Sequence, residues 1–260
     1  MSLDRELWCL RAGVVSYRDA LSLQRELAEL RRLQRAPDLL LLLQHHPVLS
    51  KGRRTDSTDL PMGEQWYSMQ GIEVCETDRG GRVTYHGPGQ LVAYPIVDLG
   101  SYGDDVHRYV RLLEQVMIAG LAEHRVEATV FDGLTGVWTI GDPPLAGRLG
   151  PQGTVVAASE PVGFPARKIG SIGIHLSRGI TTHGFAINVS NDLQPFEWIV
   201  PCGIESVRMT SLSRELGSEQ STADFADTIE RCFCTLTGQQ AVAPNPDLVG
   251  SLATSITLRG

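Results

Sequence analysis

The sequence predicts an α+β fold, in which a mixed β-sheet is flanked by helices that lie mainly on one side. Short β-branched or apolar runs separated by glycine, proline or asparagine are typical of strands, and longer stretches with apolar residues at helical spacing are typical of helices. Because the two kinds of segment do not alternate regularly along the chain, a doubly wound parallel sheet is not expected. The 260 residues suffice for one large domain.

Three segments have the periodicity of amphipathic helices. The first is predicted over residues 17–35, because Ser16 can cap its start and Pro37 follows its end. The second is predicted over residues 104–124 and the third over residues 222–237, each with one apolar face that must pack on a sheet or on another helix.

The predicted strands are shorter and rich in branched side chains. They are residues 39–43, 91–97, 136–140, 154–158, 169–176 and 185–189, with another strand starting at Ile72 and Val74. Residues 1–238 are therefore predicted to form a single catalytic domain, residues 141–165 an inserted loop or hairpin, and residues 239–260 a weakly ordered tail.

Composition excludes several classes of function. The net charge of −7 gives no general attraction to nucleic acid or to an anionic membrane. No apolar run approaches the roughly 20 residues that span a bilayer, and the N-terminus is acidic where a signal peptide would be basic. The five cysteines lack metal-ligand spacing, so reduced thiols are expected. We therefore expect a cytoplasmic monomer without a metal.

Lysine is rare in this chain: of the 23 basic residues only Lys51 and Lys168 are lysine. A buried ammonium can give up a proton, whereas a guanidinium stays charged. Lys168 begins the segment KIGSIG, where its side chain would point into a cleft, although a solvated lysine at a strand end is the simpler alternative. Lys51, in the loop-like SKGRR, is ascribed to chance.

Three further segments have the residue types of a reactive site. RGGRVTYHGPGQ, residues 79–90, combines glycines that permit close backbone approach with arginines suited to phosphate, and a tight hairpin is the alternative. In THGFAINV, His183 is assigned a supporting role, as His86 is in the glycine-rich segment. Cys202 lies between proline and glycine, as a presented nucleophile would, whereas the other cysteines are interpreted as packing.

Together these segments resemble the lipoyl(octanoyl) transferase family. RGGRVTYHGPGQ, KIGSIG, THGFAINV and PCGIESVRMTSL occur in the family's order, and the resemblance extends over residues 5–237. It implies the fold of lipoate and biotin protein ligases and transfer of an octanoyl group in protein lipoylation, without ATP, metal or another cofactor. QHHPVL, where the family usually has one histidine and two prolines, is a departure expected to alter a rim contact, and the length of residues 141–165 is a second departure.

The resemblance also implies roles for particular residues. Cys202 would be the nucleophile, and Lys168 would lower its pKa and later act as a base. The acyl site would be lined by Arg79, Gly80, Gly81, Arg82, Val83, Thr84, Tyr85, His86, Ser171, Ile172, Gly173, Gly184, Phe185 and Ala186.

The implied partners are protein carriers. The donor would be octanoyl acyl carrier protein, which holds the acyl group on a phosphopantetheine arm, and the acceptors would be lipoyl domains of 2-oxoacid dehydrogenase E2 subunits and the glycine-cleavage H protein. Such carriers are acidic, so a cationic rim is expected around the cleft. Its candidates are Arg53, Arg54, Arg79, Arg82, Arg167 and Arg178.

Three alternatives remain open from the sequence. An ATP-dependent lipoate or biotin ligase of the same fold needs a glycine-rich loop and a lysine but no cysteine, so Cys202 discriminates against it. A non-catalytic carrier-binding module would never acquire an acyl group. A cysteine hydrolase is disfavoured, because no Cys-His-Asn/Asp set has family-specific spacing.

Overall fold

A computed structural model describes residues 5–140, 166–200, 207–250 and 252. The predicted insertion at residues 141–165, with its strand at 154–158, lies outside the described residues. Cys202 lies outside them too. The predicted domain boundary at residue 238 and the monomeric state stay predictions.

The described elements follow the predicted order. The helices are α1 (Tyr17–Arg32), α2 (Glu64–Met69), α3 (Val106–Glu123), α4 (Leu212–Leu216), α5 (Thr222–Thr237) and α6 (Pro246–Gly250). The strands are β1 (Glu6–Val15), β2 (Asp38–His45), β3 (Val48–Lys51), β4 (Glu73–Glu76), β5 (Val83–His86), β6 (Gln90–Ile96), β7 (Ala128–Phe131), β8 (Leu134–Thr139), β9 (Arg167–Ser177), β10 (Ile180–Asn188) and β11 (Gln240–Val242).

Within the described residues, eight strands form one mixed sheet in the order β11-β1-β2-β6-β10-β9-β8-β7. β11, β1 and β2 are parallel, and the pairs from β2 to β7 are antiparallel. The predicted α+β fold with a mixed sheet is confirmed. None of the described helices is both long and apolar enough to cross a membrane.

Strand β2 is buried on both faces of this sheet. Leu39, Leu41 and Leu43 pack with α1, whereas Leu40 and Leu42 pack with α3 and α5 on the opposite face. Because successive side chains of a strand alternate between faces, an unbroken leucine run requires cover on both sides. Helices accordingly cover both faces, with α3 and α5 on one and α1 on the other.

A second sheet, in the order β4-β3-β5, packs its own apolar cluster beside the large sheet. Neither β3 nor β5 was predicted from the sequence, because each has only four residues and lies beside glycine or proline. Strand β1 was not predicted either. Strand β11 pairs with β1 at the sheet edge, within the segment predicted as a weakly ordered tail.

Candidate active site

A cleft lies where β6, β9 and β10 of the large sheet face β5 of the small sheet and the loop that precedes it. The lining residues are Tyr17, Arg79, Gly81, Arg82, Thr84, His86, Val92, Tyr94, Ser171, Ile172, Gly173, His183, Gly184, Phe185 and Ala186. All except Tyr17, Val92 and Tyr94 belong to the set predicted from the sequence. Residues from five segments, spread between Tyr17 and Ala186, thus meet at one cleft.

Three residues of the predicted acyl-site lining, Gly80, Val83 and Tyr85, do not line this cleft. Thr84 and His86 face it, whereas Val83 and Tyr85 pack into the apolar cluster of the small sheet. The cause is the two-residue repeat of β5, which turns alternate side chains to opposite faces. The backbone N–H of Gly80 donates to the carbonyl of Ile174 at 2.9 Å and so ties the loop to β9.

The cleft glycines allow backbones to approach one another closely. A Cβ atom on Gly173 would lie 2.9 Å from the carbonyl oxygen of Gly80, and one on Gly184 would lie 2.2 Å from the carbonyl oxygen of Ala93. Side chains at these positions would collide with backbone that has no room to move. The glycines of KIGSIG and THGFAINV therefore set the narrow spacing between β9, the glycine-rich loop and β6.

The two arginines of the cleft form hydrogen bonds and ion pairs with other residues of this protein. Arg79 is buried and donates to the hydroxyl and carbonyl of Ser50. Arg82 donates to the carboxylates of Asp59, at 2.9 Å, and Asp56. Of these two rim candidates, Arg79 is therefore withdrawn from solvent, whereas the Arg82 side chain is 28% exposed but is paired with two carboxylates.

A third predicted rim residue, Arg167, is also buried. Its guanidinium forms a bidentate ion pair with Glu215, with N–O distances of 2.9 and 2.8 Å. Of the predicted rim, Arg53, Arg54 and Arg178 are exposed. The backbone N–H groups of Arg53 and Arg54 donate to the carbonyls of Arg79 and Gly81, so these two exposed arginines flank the cleft.

His183 adopts an unusual backbone conformation, with φ of 57° inside a strand. Its Nε2 atom lies 2.7 Å from Oδ1 of Asp78, and its backbone N–H donates to the side-chain oxygen of Gln24. Burial lowers the pKa of His183 despite the carboxylate, and the hydrogen bond with His183 in turn lowers the pKa of Asp78. Asp78 was not predicted from the sequence as a site residue, although it directly precedes RGG.

Aromatic and imidazole rings form the base of the cleft. Tyr17 stacks on His86 at 5.7 Å and contacts His45 at 4.8 Å, and His45 Nε2 lies 2.7 Å from the hydroxyl of Tyr94. His45 is fully buried, and burial lowers its pKa to about 4. The departure at QHHPVL was expected at the rim, but His45 lies beneath the cleft, where a neutral ring is required.

Lys168 is on β9, three residues before Ser171, or roughly 10 Å along the strand. Its side chain is 2% exposed, and Nζ donates to the carbonyl of Thr135 at 3.1 Å and lies 5.3 Å from the ring centre of Trp138. The solvated-lysine alternative is therefore wrong. Lys168 does not line the cleft itself.

Two local features make room for this ammonium group. The β8–β9 register shifts between Val137 and Trp138, which leaves a bulge at Ile169 beside the lysine. A Cβ atom on Gly136, where φ is 117°, would lie 2.9 Å from Cε of Lys168. Bulges commonly redirect side chains next to active sites, and here bulge and glycine together accommodate the buried chain.

The segment that follows Cys202 in sequence pairs with Lys168. The N–H of Lys168 donates to the carbonyl of Arg208 at 2.8 Å, and the N–H of Thr210 donates to the carbonyl of Lys168 at 2.9 Å. Met209 forms a parallel bridge with the lysine. The distance between the predicted partners Cys202 and Lys168 thus stays untested, but the chain returns to Lys168 within seven residues of the cysteine.

Comparison with known proteins gives consistent results. Residues 16–234 match the lipoyl protein ligase A/B catalytic domain. The chain is 41% identical over 244 residues to an octanoyltransferase of Myxococcus xanthus, covering 94% of the chain and 63% of that protein. It is 42% identical over 217 residues to an octanoyltransferase of Acidobacterium capsulatum, covering 81% of the chain and 80% of that protein.

Among solved structures, a bipartite lipoate protein ligase from Thermoplasma acidophilum superimposes with a TM-score of 0.65 at 15% identity. The match covers 95% of the present chain and 89% of the other. At this identity the likeness concerns the fold alone.

The Arg167–Glu215 pair gives a test of how residues 207–211 are held beside Lys168. Burial opposes ionisation of Glu215, but hydrogen bonds from Arg167 and Thr210 lower its pKa. The pair therefore stabilises the fold above the ordinary carboxyl pKa, and this contribution is lost as pH falls through the lowered value. Glu215→Gln should cost about 3 kcal/mol of unfolding free energy at pH 7.

The measurement is denaturant unfolding of both proteins between pH 7 and pH 3. We expect the difference in unfolding free energy to be constant down to about pH 5 and to shrink below about pH 4, where the carboxyl group takes up a proton. Glu29→Gln, which removes the exposed partner of Arg32, is the matched control and should leave stability unchanged. A difference that grows on acidification would contradict the assignment.

Proposed function

The chain belongs to the lipoyl protein ligase A/B catalytic family and, within it, to the octanoyltransferases, and on this premise we propose that it transfers an octanoyl group between carrier proteins through a thioester on Cys202. The supporting observation is the buried position of Lys168, in backbone register with the segment that follows Pro201-Cys202-Gly203 and on the strand that lines the cleft.

The first half-reaction is a thioester exchange. The Cys202 thiolate attacks the carbonyl carbon of the octanoyl thioester on acyl carrier protein, a new sulfur–carbon bond forms, and the bond to the phosphopantetheine sulfur breaks. The Lys168 ammonium stabilises the attacking thiolate by its charge and so lowers the pKa of Cys202. The departing phosphopantetheine thiolate takes up the proton that Lys168 loses once the Cys202 thiolate beside it is consumed, which leaves Lys168 neutral. Because one thioester replaces another, no ATP is required.

The second half-reaction forms an amide. The ε-amine of a lysine in a lipoyl domain or in the glycine-cleavage H protein attacks the acyl-enzyme, and the bond from the acyl carbon to Cys202 sulfur breaks. Lys168, neutral at this stage, accepts the proton that the amine loses. The docked carrier excludes water that would otherwise hydrolyse the intermediate. We propose that the reaction occurs in the cytoplasm, where thiols stay reduced.

The state of the cleft arginines supports a transferase over an ATP-dependent ligase. A ligase of this fold must hold a triphosphate, for which open guanidinium groups are the suitable cations. Arg79 is already bound by Ser50, and Arg82 by Asp56 and Asp59. Binding of a triphosphate at either side chain would have to break these internal contacts.

The acyl-enzyme is directly testable by intact-mass analysis. After incubation with octanoyl acyl carrier protein, the protein should gain the mass of one octanoyl group, because the thioester on Cys202 is covalent. Cys202→Ala should gain none, whereas Cys234→Ala, which removes the half-buried cysteine of α5, should acylate like the parent. A parent protein that never gains mass would favour the scaffold alternative, and ATP-dependent activity that survives Cys202→Ser would favour the ligase.

Substitution of Lys168 should separate its two roles. Lys168→Met removes the cation beside the thiolate, so the pH at which acylation is half-maximal should rise by about one to two pH units. Lys168→Arg keeps a charge but cannot accept a proton, so acylation should persist while transfer to the acceptor lysine slows by about 100-fold. Rapid-quench mass analysis measures each half-reaction, and an unchanged pH profile in Lys168→Met would refute the proposed charge pair.

The exposed arginines beside the cleft should guide the acidic donor. In the double variant Arg53→Glu with Arg54→Glu, we expect the KM for octanoyl acyl carrier protein to rise about tenfold at low salt, with kcat unchanged and a weaker dependence on salt. The control is Arg25→Glu with Arg35→Glu, an equal charge change at exposed positions on and after α1. Equal effects of the two double variants would attribute the result to net charge alone.

A further inference from the structure

A series of hydrogen bonds between buried side chains, here called the hydrogen-bond chain, connects the cleft to residues 207–211 beside Lys168. Arg79 donates to the Ser50 hydroxyl at 2.9 Å, and that hydroxyl lies 3.2 Å from Nε2 of His86. Nδ1 of His86 lies 2.7 Å from the side-chain oxygen of Gln90. The hydrogen-bond chain thus begins at Arg79 in the glycine-rich loop and passes through the base of the cleft.

The second part of the hydrogen-bond chain crosses to β10 and ends at a backbone carbonyl group. The amide nitrogen of Gln90 donates to the side-chain oxygen of Asn188 at 2.9 Å, and the amide nitrogen of Asn188 donates to the carbonyl of Thr210 at 2.9 Å. Thr210 is the residue whose own N–H donates to the carbonyl of Lys168. All the linked side chains are less than a tenth exposed.

The carbonyl end of this hydrogen-bond chain fixes the direction of its bonds back to His86, and a neutral His86 ring fixes the remaining bond to Ser50. A guanidinium can only donate and a carbonyl can only accept, so Arg79 must be the first donor and the Thr210 carbonyl the last acceptor. Gln90 also donates to the carbonyl of Tyr85, at 3.2 Å, which fixes the orientation of its amide. His86 must therefore carry its proton on Nδ1, and its Nε2 accepts from Ser50.

Burial supports this neutral state of the ring. His86 is inside the protein, where desolvation lowers its pKa well below the ordinary histidine value. Around it, Arg79 is the facing cation, and His45, His183 and Tyr17 are the facing titratable groups. A neutral ring with one donor and one acceptor can pass on the direction of the bonds, whereas an imidazolium would lose its acceptor.

We propose that Gln90 and Asn188 are positioning residues, which hold residues 207–211 in register with Lys168 and couple that register to the cleft. This inference rests on the proposed function, since it concerns the lysine that would serve Cys202. Bonds that run in one direction polarise one another, and each unpaired member would be a buried unsatisfied group. A disturbance at the cleft end is thereby transmitted to the backbone beside Lys168.

The direction of the chain can be tested without any assay of activity. In protein labelled with ¹⁵N-histidine, long-range ¹H–¹⁵N spectra distinguish the two neutral tautomers and the imidazolium. We expect His86, assigned by the signal lost in His86→Gln, to be in the Nδ1–H form at neutral pH. In Gln90→Met this nitrogen loses its acceptor, so its signal should shift. An Nε2–H ring or an imidazolium in the parent protein would overturn the proposal.

The effect on catalysis is tested with Asn188→Asp, which sets a carboxylate oxygen against the Thr210 carbonyl. We expect the rate of acyl-enzyme formation at saturating donor to fall about tenfold to 100-fold, with KM for octanoyl acyl carrier protein nearly unchanged. The matched control is Asn191→Asp, another buried asparagine, whose amide donates to the carbonyl of Asp192 and to no other group in the described part of the chain. It should acylate at the parent rate.

Unfolding midpoints, measured for each variant, separate positioning from stability. If Asn188→Asp does not fold, Gln90→Met and the tautomer of the parent decide the matter. A folded Asn188→Asp or Gln90→Met that acylates at the parent rate would overturn the proposal, as would an equal loss in Asn191→Asp. Failure of the proposed function itself is distinguishable, because the parent protein would then gain no octanoyl mass.

Discussion

The antiparallel pairing of β9 with β10 is the constraint on which the site depends. The two strands stay in register from Gly170 opposite Ile187 to Ser177 opposite Ile180. Because side chains alternate between faces, a slip of one residue would turn every side chain of the shifted strand to the opposite face of the sheet. This one register therefore sets the cleft residues of both strands, the strained backbone of His183 and the placement of Asn188.

Buried polar groups fix the positions of many residues around this pair of strands. A charged or amide group inside a protein needs partners, so each such side chain fixes the position of another. Arg167 fixes Glu215, which also accepts from the Thr210 hydroxyl at 2.5 Å, while Asn188 binds the Thr210 carbonyl. Residues 207–211 are consequently held by backbone, amide and carboxylate from three sides.

The same requirement explains where prediction from sequence failed. The motifs indicated which segments meet at the cleft, because their glycines and polar residues are local signals. Whether an arginine faces solvent depends on a carboxylate or carbonyl far away in sequence, such as Glu215 for Arg167 or Ser50 for Arg79. No local pattern contains that information, and an acidic net charge of −7 does not reveal which carboxylates are used internally.

Helix and strand prediction succeeded where length or burial made the pattern unambiguous. α1, α3 and α5 have continuous apolar faces, and β2 is an unbroken leucine run, so each was identified close to its observed bounds. The four-residue strands β3 and β5 are specified by pairing with each other, which is a tertiary property. Val83 and Tyr85 were assigned to the cleft because the family resemblance implied the whole segment from Arg79 to His86, and without a predicted strand their alternation could not correct this.

The surroundings of Lys168 suggest a physical reason why this chain has a lysine there although it otherwise uses arginine. The ammonium of Lys168 occupies a narrow space between the Thr135 carbonyl, the ring of Trp138 and the backbone of Gly136, where a Cβ atom would already be 3.3 Å from Nζ. A guanidinium would keep its charge here but could not release a proton. A chain that uses arginine for 21 of its 23 basic residues thus has a lysine at the position for which we propose a removable proton. The bulge at Ile169 and the glycine at position 136 are the backbone adjustments that this choice demands, which links an oddity of composition to the geometry of the site.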